Sequence, residues 1–127
     1  MLHGVEYEPD KQLVRVRMSG EFSVADYREA VSRIWAGEFP PVVQLWDLRE
    51  LDYSTIDLQV MEQVRSARDG IAPPRSGSRS AVVVEAYVQK MVVSLFVAAD
   101  AGSGRVLEVF TDMGAAEAWC LDQAQAG

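Results

Sequence analysis

Residues 42–61 read VVQLWDLRELDYSTIDLQVM, and the fold turns on where this stretch changes its period. Val42 to Leu48 is an almost unbroken apolar run of strand length, as expected for a strand covered on both faces. Charge enters at Asp47, continues through Arg49, Glu50 and Asp52, and gives way at Tyr53-Ser54-Thr55 to helical spacing. Leu58, Met61, Val64 or Arg65, Ala67 and Ile71 then recur at three- and four-residue steps, which predicts a helix with one apolar face. Ser54 with Asp57 three residues later reads as an N-cap and its N3 partner, and Tyr53 and Leu58 as a hydrophobic staple, so the helix is expected to start at Ser54 or Thr55.

The same grammar stands upstream. Val5 to Tyr7 and Leu13 to Met18 are short strands, the second alternating Val14, Val16 and Met18 with Arg15 and Arg17, and Glu8-Pro9-Asp10-Lys11 supplies turn chemistry for a hairpin. Gly20 closes it. Ser23 with Asp26, flanked by Phe22 and Tyr27, opens a helix whose stripe is Val24, Tyr27, Ala30, Val31, Ile34 and Trp35, ending at Gly37 before Pro40-Pro41. Downstream, residues 72–79 form a loop, Ser80 to Glu85 a strand, and about Val88 to Ala99 a further helix. Arg105 to Phe110 is the last strand, and Thr111 or Asp112 caps a last helix through Gln123, with Ala124 to Gly127 expected to fray.

The order ββαβαβαβα predicts one α/β domain over residues 1–127, with a mixed five-stranded sheet, an antiparallel hairpin first and parallel strands with right-handed crossovers after it, and about four helices. A chain of 127 residues suits a single core. Net charge is −7 with no stripe of Lys and Arg, so nucleic acid is not an expected partner. The N-terminus MLHGVEYEPDKQ lacks a basic stretch followed by an apolar one, which makes the cytoplasm the expected compartment. The apolar run from Met91 to Ala99 is broken by Ser94 and falls far short of the roughly 20 residues that span a bilayer. His3 and Cys120, one of each type, cannot make a disulfide or a clustered transition-metal site, and no cofactor is expected.

Four local patterns in this order resemble the SpoIIAA-like branch of the STAS superfold, the anti-sigma factor antagonists and their relatives. They are Met18-Ser19-Gly20-Glu21-Phe22-Ser23 leading to Asp26-Tyr27, then Trp46-Asp47-Leu48-Arg49, Ala81-Val82-Val83, and Val109-Phe110-Thr111-Asp112 leading to Ala116, Ala118 and Trp119. The resemblance covers nearly the whole chain. It implies a non-enzymatic regulatory or ligand-binding domain with helices mostly on one face of the sheet. In the phosphorylatable antagonists an Asp-Ser pair opens the helix after the third strand, and by position Ser54 matches that Ser. Here Tyr53 stands where the acid belongs, Asp52 comes one residue early, and Thr55-Ile56-Asp57 replaces the usual small residues.

Ligands of open α/β sheets gather beyond the carboxyl ends of the strands, which makes Asp47, Arg49, Asp52, Ser54, Glu85 and Asp112 a candidate polar ring. Paired carboxylates there suit acid–base work or a hard cation. The commoner use of the same residues is structural: Asp47 accepting backbone N–H groups, Asp112 and Ser54 capping helices. Cys120, beside Trp119 on an apolar helix, is expected to be a packing residue, and His3 a surface one. In the helix expected over 88–99, Met91, Val93 and Val97 belong to an apolar surface that extends beyond one stripe. A lid of neighbouring helices, a second subunit forming a homodimer, or a small apolar ligand would cover it. The function expected from all this is binding a protein partner or a small apolar ligand. The alternatives are a phosphorylation switch at Ser54 and a small enzyme using the carboxylates at the strand ends.

Overall fold

The computed structural model of the chain describes residues 2–35, 43–69, 79–86, 90 and 106–126. Its elements are β1 (Leu2–Glu8), β2 (Leu13–Glu21), α1 (Val24–Trp35), β3 (Val43–Asp52), a single 3₁₀ turn (Tyr53–Thr55), α2 (Leu58–Asp69), β4 (Arg79–Val83), β5 (Val106–Phe110) and α3 (Met113–Ala126). The five strands form one sheet in the order β1-β2-β3-β4-β5. β1 and β2 pair antiparallel and every other pair is parallel, as expected for a hairpin followed by strand–helix units. Among the described residues there are three α-helices, and the helix expected over 88–99 lies outside them but for Lys90, whose N–H donates to Ala86 O at 3.1 Å. With it lie Met91, Val93 and Val97 and the subunit contact proposed through that helix.

Strand alternation divides the core in two. Val14, Val16, Met18, Trp46, Val82 and Val84 face α1, whose Ala30 and Val31 complete a buried layer. The opposite face of the sheet carries Leu13, Val43, Leu45, Ala81 and Val83 against Ala116 and Cys120 of α3. α2 lies beside α1, so two of the three described helices share a face and the last covers the other. The Cys120 thiol is fully buried, and that burial pushes its pKa up to about 11, as befits a packing residue rather than a nucleophile.

The ends of β2, β3 and α3 moved from the sequence expectation for reasons the structure makes plain. β2 and β3 run on to Glu21 and Asp52, because beyond Arg17 and Asp47 the pairing resumes as Ser19 with Glu50, Gly20 with Leu51 and Glu21 with Asp52. One residue of β2 there faces two of β3, Leu48 and Arg49, which is a β-bulge. The bulge reverses the alternation, so Leu51, an odd-numbered neighbour of Leu45 and Asp47, packs with Trp46 and Met18 instead. Gly20 tolerates the positive φ of 69° needed as β2 turns toward α1. At the other end of the chain α3 runs on to Ala126, past the expected end at Gln123, and its closing Ala-Gln-Ala consists of good helix formers.

Candidate functional site

The first helix junction follows the sequence reading closely. Ser23 Oγ accepts from the Asp26 N–H at 3.2 Å, and the Phe22 and Tyr27 rings meet at 6.3 Å as the staple.

The second junction does not. α2 starts at Leu58, and its N-cap is Asp57, whose Oδ1 accepts from the Val60 N–H at 2.9 Å while its carbonyl accepts from the Met61 N–H at 3.0 Å. Ser54 sits one turn earlier in the 3₁₀ turn, where Asp52 Oδ1 accepts from both its N–H, at 3.0 Å, and its hydroxyl, at 2.7 Å. Two physical effects displaced the helix start. A carboxylate is a stronger acceptor for helix N–H groups than a hydroxyl. The extended backbone of Ile56 then lets Ile56 and Tyr53 pack against the core, which a helix from Ser54 onward would not allow. Leu58 consequently makes no staple with Tyr53 and is 80% exposed. Replacing Asp57 with Ala should cost about 1 kcal/mol and Ser54 with Ala no more than a few tenths. Urea melts of the two variants followed by circular dichroism measure this, and the reverse ranking would restore Ser54 as the cap.

Asp47 serves the bulge. It is only 7% exposed, and Oδ1 accepts from the Arg49 N–H at 3.2 Å, the amide that the bulge sets out of step with β2. Its two oxygens also take Arg49 Nε and Nη2, each at 2.9 Å, in a two-pronged ion pair. Burial pushes the Asp47 carboxyl up, but the hydrogen bonds from Arg49 and the charges of Arg49 and Arg17 together outweigh it and leave its pKa below the usual value. The bulge carbonyl, Leu48 O, accepts from the Tyr53 hydroxyl at 3.3 Å. Burial, aided by the Asp47 charge, raises the pKa of that phenol and keeps it a donor.

The remaining candidates are dispersed. Asp112 caps α3, Oδ2 accepting from the Ala115 N–H at 3.0 Å. Asp47 and Asp52 are five residues apart along β3, roughly 15 Å at strand spacing. Asp47 aligns with Val83 and Val83 with Phe110, so the start of α3 lies two strands away, roughly 10 Å. The order of the five described strands runs in sequence from β1 to β5 without a reversal. Asp47, Asp52 with Ser54, and Asp112 thus each take part in a local structure of their own, and Glu85 stands exposed just past β4. Among the described residues no group of three or more His, Cys, Asp or Glu side chains is arranged to hold a metal ion, and no helix is long and apolar enough to cross a membrane.

Sequence reasoning missed two polar constellations. Arg15 joins the hairpin to α3, donating from Nε to Glu8 Oε2 at 2.7 Å, from Nη2 to Glu117 Oε1 at 2.9 Å and from Nη1 to Met113 Sδ at 3.5 Å. The bond from Arg15 holds the Glu117 carboxyl below the usual range. Gln44, buried in β3, accepts on Oε1 from Trp46 Nε1 at 3.0 Å and from the Ser80 hydroxyl at 3.2 Å. The break in an apolar strand at Gln44 is the one signal that hinted at the second; nothing local to Arg15 pointed to a helix about a hundred residues on.

No protein-family model matches the chain, and no curated protein or solved structure matches it significantly.

Proposed function

We propose that this chain is a non-enzymatic regulatory or binding domain, in keeping with its resemblance to SpoIIAA-like STAS domains, and that it docks a protein partner where β3 hands over to α2. The observation that carries the reading is Leu58, a large apolar side chain 80% exposed on the first turn of α2, next to the exposed Ser54 turn. The neighbouring acids support it by what they already do. Asp47 clasps Arg49, Asp52 holds Ser54, and Asp57 and Asp112 cap helices, so each of these carboxylates is already engaged in local structure. The other occupant expected from the sequence, a small apolar ligand, concerns Met91, Val93 and Val97, which lie outside the described residues.

The test is site-specific photo-cross-linking in the source cell. A benzophenone side chain at position 58 should yield a discrete protein adduct, and the same group at the exposed Gln63 on α2 should yield none. Leu58→Asp should abolish co-purification of the captured partner while changing stability by no more than about 0.5 kcal/mol, as surface substitutions do. Absence of any adduct at position 58 would sink the reading.

The 2.7 Å bond from the Ser54 hydroxyl to Asp52 favours a second reading, phosphorylation control at Ser54. Ser54 is exposed and does not cap α2, so its oxygen is open to modification, and Asp52 is the acid beside it that Tyr53 could not be. A phosphoryl group there would remove the hydroxyl donor and set about −1.5 to −2 charges against Asp52 and Asp57, loosening the turn. Intact-mass analysis of protein from the source cell should then show one phosphoryl group that Ser54→Ala removes.

A further inference from the structure

We draw no further inference here: the strongest candidate, the outer face of α3 where Gly114, Ala115, Ala118 and Leu121 stand exposed, is a stripe of mostly small side chains, and nothing in the structure shows what covers it.

Discussion

Replacing Trp46 with Ala should destabilise the protein by about 3–5 kcal/mol, the range for a large aromatic removed from a packed core. Trp46 stands at the centre of the sheet, with Val16 on β2 and Val82 on β4 as its register partners on the same face. Its ring meets that of Tyr27 on α1 at 5.7 Å, and its indole N–H is tied to Gln44 Oε1. The loss therefore combines a cavity, an aromatic contact worth about 0.5–1.5 kcal/mol and one of the two hydrogen bonds on Gln44 described above. Against a total stability of about 5–15 kcal/mol for a typical domain, that is a large share. Trp46→Phe keeps most of the ring and should cost roughly 1–2 kcal/mol, near the limit for swaps that largely conserve volume. Urea denaturation followed by far-ultraviolet circular dichroism separates the two. A cost below about 1 kcal/mol for Trp46→Ala would mean that this residue does not anchor α1 to the sheet.

Asp47→Ala should cost about 2–3 kcal/mol, since it removes hydrogen bonds to a charged partner and leaves the Arg49 amide of the bulge without its acceptor. The Arg49 guanidinium is partly exposed and can turn to water, which keeps the loss below that of a fully buried ion pair. For a chain of this size the melting temperature should fall by roughly 10 °C. The same pair makes an acid-sensitive contribution. The Asp47 carboxyl has a lower pKa folded than unfolded, because the hydrogen bonds and charges of Arg49, with Arg17, outweigh its burial. Its contribution is therefore fully present above the unfolded carboxyl pKa of about 4 and is lost as pH falls from there through the folded value. Thermal melts between neutral pH and pH 3 should show wild type and Asp47→Ala converging as the solution is acidified. A gap between them that stays constant across that range would show that the Asp47 charge contributes nothing and that the effect is packing alone.

The fold was largely legible in the chain, and the candidate site was legible only in its parts. The hairpin, the buried third strand, the Ser23 cap with its Phe22–Tyr27 staple and the Asp112 cap all depend on residues within a few positions of one another, so their chemistry can be read locally. The start of α2 was misplaced because two caps, Ser54 and Asp57, compete within one turn. What decided between them was the stronger acceptor at Asp57 together with the packing of Tyr53 and Ile56 on a core built by β2, β3, β4 and α1.

By itself, then, the sequence determined the alternation of strands and helices, the mixed sheet that follows from it, and which residues are apolar enough to bury. Only the tertiary structure decided the bulge at Leu48-Arg49, which exists because the register of β3 against β2 shifts between Arg17 and Ser19. It likewise decided that Asp47 holds that bulge and that Arg15 reaches Glu117 across the fold. It also set Asp52 on Ser54 and Asp112 at the start of α3. The physical reason is range: periodicity and capping act over a turn or two of chain, whereas register, bulges and ion pairs between distant elements are set by how the whole sheet and its covering helices pack.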